Sequence, residues 1–304
     1  MCTSFLAAVT PNFAITGRSL DYDQPSMFVN RLDIVGTVYN SVLNNGVTWT
    51  GTQAVFSVNF LVPDAVPFEA MNQSGLSMSG NLANADYPTG GTIVLSTDDM
   101  INYVLSQSAS LSDAQALISQ VSIQSDYQYH YSLYDRNGNS LIVEFVNGAA
   151  VFYNNQSYIM TNNPDLPWQL ANQNNYANIR NYAPNAVLPD SGDQFHGQGM
   201  LGIPGDWMST SRYTRTYYML KYCLSEVSTS NVQDQVFFAK RLIEAASLLK
   251  GIDKGNSASG NSIYTQIQIV KDLINNVIYQ REYGVEDWTV THIDWITPHT
   301  APAS

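Results

Sequence analysis

The chain opens with MCTSFLAAVTPNFAITGRSLD (residues 1–21), in which two apolar-alternating runs, 3–9 and 13–20, flank Thr10-Pro11-Asn12. Alternation with a period of two marks strands, and Pro-Asn between two such runs marks a turn, so the stretch predicts an antiparallel hairpin. A turn centred on Pro11 sets Cys2 opposite Leu20 and Ser4 opposite Arg18. Arg18 is then a diagonal neighbour of Cys2 on one face, within reach of a long side chain. Asp21 closes the second strand beside the chain terminus.

Cys2 stands directly behind Met1. With Met1 removed, one residue carries both a thiol and a free α-amine. That amine has an ordinary pKa of roughly 7.7–8.0, so much of it is neutral near pH 7 and able to take the thiol proton. Arg18 beside the sulfur favours thiolate, and Asp21 can hold the amine. The competing readings are ordinary ones: a small apolar residue at a strand start, and an Arg–Asp surface pair.

Further along, Val55–Phe60 and Gly75–Gly80 read as strands around a proline-containing segment, LVPDAVP. Ser96 or Thr97 can cap a helix running to about Ser106, with Asp98 and Asp99 in its first turn, and Ser112 can cap another. Strands return at Tyr129–Asp135 and Ser140–Val146 around Asn137-Gly138, then at Ala149–Tyr153 and Gln156–Thr161. A helix from about Trp168 is followed by a Gly/Pro-rich loop over Asp190–Gly205, then helices over Ser211–Glu226 and Val232–Lys250. Strands Ile263–Val270, Asn276–Tyr283 and Asp287–Ile293 finish the fold, and the last ten or so residues are expected to be disordered. Blocks of strands alternating with blocks of helices point to antiparallel sheets with segregated helical layers, an α+β fold. With no repeat or low-complexity linker, residues 1–304 form one domain on this reading.

Composition removes several function classes. Thirteen basic against twenty-five acidic residues give a net charge of −12, the wrong sign for a nucleic-acid binder. No apolar run approaches the roughly 18–20 residues of a membrane span. Two cysteines make no disulfide framework, and Cys223, in an apolar helical stretch, is expected to be buried and inert. The four histidines show no metal-ligand spacing, so neither metal nor cofactor is expected, and a Cys–His enzyme lacks its partner motif. Charged residues are only 12% of the chain, replaced by amides, hydroxyls and nineteen Tyr. Such a surface suggests a periplasmic or extracellular protein whose leader has been removed, with the cytoplasm as the alternative.

Two more segments stand out. In Thr161-Asn162-Asn163-Pro164 an Asn side chain can donate to a developing oxyanion, although Asn-Pro also simply forms turns. The Gly-dense run HGQGMLGIPGDWMSTSR (196–212) delivers Arg212 near a helix start, or is a surface loop capped by Ser209 or Ser211.

Taken in order, MCTSF, GRSLD, MNQSGLSMSGN, TNNP with Trp168, and GQG–GIPGD–STSR resemble the motifs of the choloylglycine hydrolase and penicillin V acylase family over essentially the whole chain. The resemblance implies an N-terminal-nucleophile hydrolase: a four-layer αββα sandwich whose N-terminal cysteine attacks a linear amide. It implies Cys2 as nucleophile with Arg18 and Asp21 beside it, Asn162 in the oxyanion hole and Arg212 as a second active-site arginine. The other oxyanion donor is a backbone N–H at Asn81 or Leu82, where NLANADYP (81–88) departs from the GLNFP-type sequence of bile salt hydrolases. Expected substrates are N-acyl amides with an apolar acyl group, such as penicillin V, conjugated bile acids or N-acyl homoserine lactones. Tyr22, Met27, Phe28, Phe60, Leu61 and Val62 are candidates to line the acyl pocket. A homotetramer is also implied. If Met1 is retained, the amine is blocked, and the chain becomes a catalytically silent binding module.

Overall fold

The structure, a computed structural model, describes residues 1–10, 13–23, 25–61, 66–182, 199–254, 260–297 and 299–302. In chain order the first half runs β1 (Cys2–Thr10), β2 (Phe13–Tyr22), β3 (Phe28–Asp33), β4 (Val38–Asn40), β5 (Thr48–Thr50), β6 (Val55–Phe60), β7 (Val66–Asn72), β8 (Leu76–Leu82) and β9 (Ile93–Leu95), then α1 (Thr97–Gln107), α2 (Leu111–Ile118) and β10 (Val121–Ile123). The second half continues with β11 (Tyr129–Asp135), β12 (Ser140–Val146), β13 (Ala149–Asn154), β14 (Ile159–Met160), α3 (Leu166–Asn172), α4 (Ser209–Cys223) and α5 (Val232–Ala246). It ends in β15 (Tyr264–Asp272), β16 (Val277–Glu282), β17 (Thr289–His292) and β18 (His299–Pro302).

Two antiparallel sheets dominate, a six-stranded one ordered β14-β1-β2-β15-β16-β17 and an eight-stranded one ordered β13-β12-β11-β8-β7-β6-β3-β18. Strand alternation gives each sheet two apolar faces, and three cores result. Cys2, Leu6, Leu20 and Ile269 meet Phe56, Phe68, Met71 and Tyr134 between the sheets. On the other face of the first sheet, Phe5, Ile15 and Val270 pack on Tyr213, Leu242 and Ile243 of α4 and α5. On the other face of the second, Met78, Leu133 and Val143 pack on Met100, Val104 and Leu105 of α1. Helices, sheet, sheet, helices: the fold is the αββα sandwich. No helix among the described residues is long and apolar enough to cross a membrane.

The opening hairpin reaches its expected register by an unexpected route. Next to the turn, Thr10 pairs with Phe13 and Ala8 with Ile15, one step away from a turn centred on Pro11. A bulge between Leu6 and Ala8 absorbs one residue and restores Ser4 opposite Arg18 and Cys2 opposite Leu20. Gly17, across from Phe5, is required there, because a Cβ would lie 2.3 Å from the Phe5 ring.

Several boundaries differ from the sequence expectation. Ser110, not Ser112, caps α2 by accepting from the Asp113 N–H. Helix α5 stops at Ala246 because Leu248 leaves to bond the hydroxyl and the N–H of Thr265 at 2.8 and 3.1 Å. Helix α3 starts at Leu166, two residues earlier than expected, on the cap Asp165. The chain end, expected to be disordered, forms β18 along β3, where it covers a sheet edge that would otherwise present unpaired backbone groups. Cys223 is exposed rather than buried, as the last residue of α4; partial desolvation and then Glu226 push its thiol pKa up.

Candidate active site

Cys2 is buried at the start of β1, and its Sγ accepts from Arg18 Nη2 at 3.3 Å. Both terminal nitrogens of the Arg18 guanidinium make further bonds, while Nε is buried with no partner among the described residues. Nη2 also donates to Gly80 O at 2.7 Å, and Nη1 donates to Phe68 O at 2.9 Å and Glu69 Oε2 at 3.3 Å. Arg18 thus spans the gap between the sheets and presents a cation to the sulfur.

Glu69 anchors that cation from below. It accepts from Arg18, from the Ser79 hydroxyl and from Lys271 Nζ, and all three charged side chains are almost completely buried. Burial, with Arg18 facing it, holds Lys271 well below the ordinary lysine range, so it serves as a donor to Glu69 and to Ala70 O. Neither Glu69 nor Lys271 was expected from the sequence. The available signal was charge inside an apolar strand, a lone Glu in VPFEAMN and a Lys-Asp pair in IVKDL.

Asp21 is buried where β2 meets the chain start. Its main chain brackets residue 1: the Met1 amine donates to Asp21 O at 2.6 Å, and Asp21 N donates to Met1 O at 2.8 Å. One carboxylate oxygen accepts from the Thr265 hydroxyl, and the other has no partner among the described residues. Burial raises the Asp21 pKa, opposed first by Arg212, then by the terminal amine, the Thr265 bond and Arg18.

Asn162 and Arg212 close the other side. The Cys2 N–H donates to Asn162 Oδ1 at 2.8 Å, and Asn162 Nδ2 donates to Leu82 O at 2.7 Å. Arg212 Nη2 reaches the same Oδ1 at 2.8 Å, while Nη1 holds Cys2 O and the Thr3 hydroxyl. Burial lowers the Arg212 pKa, offset in part by Asp21 and then Cys2. The GIPGD–STSR run sets this arginine in place: Asp206 accepts from Met208 N at 2.9 Å and the Ser211 hydroxyl at 2.8 Å, fixing the start of α4. Ser209 is a brace to the site, accepting from Asn162 N at 2.9 Å and meeting the Thr161 hydroxyl at 2.8 Å.

The end of β8 settles which residue near 81 faces the site. The last pair between β7 and β8 is Glu69–Ser79, although β7 continues to Val66, so the two strands part there and Arg18 bonds the carbonyls of Phe68 and Gly80 on either side. On the other side, the bond from Ala83 N to Gln128 O makes 83/128 a hydrogen-bonded pair. The antiparallel alternation then makes Asn81/His130 the next bonded pair and turns the N–H and C=O of Leu82 away from β11. They point toward Cys2, as the Asn162 bond to Leu82 O requires. Asn81 therefore does not reach Cys2; its side chain donates to Thr161 O at 2.8 Å.

A cavity of about 590 Å³ adjoins this cluster, lined by Phe68 and Gly80, whose carbonyls hold Arg18. Burial and then the Cys2 sulfur push up the pKa of Tyr129, another of its walls. Tyr22, Met27, Phe60 and Leu61 line the cavity as expected, joined by Val66, Leu82, Ile101 and three further tyrosines. Phe28 instead packs behind the wall against Phe60 and Phe68, and Val62 lies outside the described residues.

The model of the family described as linear amide C–N hydrolases, choloylglycine hydrolase family, matches residues 2–294. The chain belongs to the choloylglycine hydrolase family. It is a hydrolase of carbon–nitrogen bonds in linear amides. A bile salt hydrolase/transferase from Lactiplantibacillus plantarum is 28% identical over 231 residues, covering 71% of this chain and 69% of that protein. A penicillin V acylase from Pectobacterium atrosepticum is 27% identical over 246 residues, covering 72% of this chain and 60% of that one. Among solved structures, a variant of the conjugated bile acid hydrolase from Clostridium perfringens superposes with a TM-score of 0.82 at 19% identity, over 99% of this chain and 96% of that one. Penicillin V acylase from Agrobacterium tumefaciens gives 0.79 at 21% identity, over 96% of this chain and 86% of that one.

Proposed function

We propose that Cys2, freed from Met1, is the nucleophile of an N-acyl amide hydrolase of the penicillin V acylase and bile salt hydrolase type. The observation that carries this is the double anchoring of one residue: its Sγ on Arg18 and its nitrogen on Asn162 Oδ1. Once that nitrogen is an amine, thiol and base share a residue whose backbone is clamped by Arg212 and β2.

The amine takes the thiol proton while sulfur attacks the amide carbon. The carbonyl oxygen becomes an oxyanion, received by the Leu82 N–H and the second N–H of Asn162 Nδ2, whose first is spent on Leu82 O. Arg18 stabilises the thiolate before attack, and Arg212 holds Asn162 in register. On collapse the carbon–nitrogen bond breaks, the amine gives its proton to the leaving nitrogen, and a thioester remains. Water, deprotonated by the same amine, cleaves the thioester, releasing the acid and restoring the thiol. Asp21, which holds residue 1 at the chain start and keeps one carboxylate oxygen without a partner among the described residues, takes up the new terminal amine of Cys2 once Met1 has left.

The cavity favours an apolar, uncharged acyl group: aliphatic and aromatic walls dominate, with Asp98 the one charged residue among the described residues lining it. Hydrolysis of penicillin V, glycocholate, taurocholate and long-chain N-acyl homoserine lactones by the Met1-processed protein, confirmed by intact mass, identifies the substrate. Cys2→Ala is expected to abolish turnover with the fold intact. Full activity in that variant, or in protein that retains Met1, refutes the mechanism.

A further inference from the structure

Behind Asn162 lies a second polar pair that the mechanism does not use. His130 of β11 stands opposite Asn81 of β8 and faces the layer between the sheets, alternating with Tyr131 and Leu133 on the α1 side. Its Nε2 lies 3.0 Å from Thr161 O. A carbonyl oxygen only accepts, so Nε2 carries a proton. The other ring nitrogen, Nδ1, lies 3.5 Å from Glu144 Oε1, and both side chains are buried. Glu144 Oε1 is itself held by the Leu166 N–H at 2.8 Å, at the start of α3.

The imidazole is therefore flanked by two acceptors. A neutral ring has one N–H, which Thr161 claims, and its bare Nδ1 lone pair would then face a carboxylate in a low-dielectric setting. Protonation of both nitrogens turns that repulsion into an ion pair. Thr161 O also accepts from Asn81 Nδ2, so the carbonyl just before Asn162 is gripped by two donors.

We propose that His130 and Glu144 are a positioning pair, a buried imidazolium–carboxylate that fixes the Thr161–Asn162 peptide so that Asn162 meets the oxyanion. This rests on the reading of Asn162 as an oxyanion donor. A second cavity, of about 520 Å³, opens onto both members of the pair, so protons can reach them. The other titratable groups facing the pair among the described residues are Asp86 and Asp165 around that cavity, the Tyr153 phenol of β13 and the Tyr213 phenol across a small void from α4.

The test begins with wild-type protein labelled with ¹⁵N in histidine, the His130 signals being assigned by their loss in His130→Gln. Both His130 ring nitrogens are expected at imidazolium shifts at pH 7, and a single neutral tautomer overturns the proposal. In kinetics, His130→Leu is expected to lower kcat on the order of 10–100-fold with KM within about twofold, as for a small misplacement of a donor. His130→Gln, which keeps an N–H but no charge, should recover part of that loss, and Glu144→Gln should shift the pH profile of kcat. If His130→Leu does not fold, the Gln variants decide: wild-type kcat and an unmoved pH profile in both overturn the proposal. Failure of the nucleophile reading is separable, because the imidazolium signals should persist in Cys2→Ala.

Discussion

Removing the charge of Glu69 by Glu69→Gln leaves Arg18 as an unpaired buried cation between the sheets. The two charges lie 3.3 Å apart and are each about 1% exposed. At an effective dielectric of about 20, that separation corresponds to about 5 kcal/mol, in keeping with the ~3–5 kcal/mol lost when one partner of a buried pair is removed. Lys271 also loses its carboxylate partner in Glu69→Gln, but that loss is common to the single and double variants and cancels. The informative measurement is a cycle of wild type, Glu69→Gln, Arg18→Met and the double variant. Arg18→Met also strands the carbonyls of Phe68 and Gly80, but that loss is common to the single and double variants and cancels. Urea unfolding followed by far-UV circular dichroism and tryptophan fluorescence, with coincident transitions, gives each stability. The double variant should be at least about 2 kcal/mol more stable than the sum of the singles predicts. Additivity within ~0.5 kcal/mol would mean that Glu69 and Arg18 do not sense each other, and the anchoring argument would fail.

Gly17→Ala places a Cβ 2.3 Å from the Phe5 ring, so a loss of about 1–3 kcal/mol is expected in thermal or urea unfolding, largely recovered by adding Phe5→Leu. Asn162→Ala should lower kcat by about 10²–10³ in single-substrate kinetics, more than it changes KM, because it deletes an oxyanion donor. For Asp21, burial raises the folded pKa above the unfolded one, so the stability linked to its protonation is complete below the ordinary aspartate value of 3.8 and is lost as pH rises through the folded pKa. Asp21→Asn should therefore raise the melting temperature at pH 7, with the gain fading as pH falls through the folded pKa and gone by about pH 4, while activity falls; a variant less stable than wild type at pH 7 contradicts the burial argument.

The local parts of the fold were legible in the sequence. Ser96 caps α1 with a complete capping box, and the hairpin that sets Arg18 beside Cys2 has the expected pairs. What local pattern could not show is which distant strand arrives alongside. Glu69 and Lys271 are 202 positions apart, and nothing near either announces the other. The helix over 232–250 looked longer than it is because its last residues keep helical spacing while Thr265 draws them into an extended segment. Asn162 and Arg212 were visible as polar residues in suggestive runs. The choice between Asn81 and Leu82 as backbone donor stayed open in the sequence because only the ladder, read through Ala83 and Gln128, shows which N–H is turned away from β11.

The parting of β8 from β7 beyond Ser79 has a genetic corollary. On the proposed mechanism, one catalytic donor at residue 82 is part of the main chain, and no change of side chain can delete it except to proline, which lacks the hydrogen. Codon 82 is then free to drift among residues of very different size, remodelling the adjoining cavity wall at no cost to the oxyanion site. A family built this way can change what it cleaves at the same position from which it cleaves.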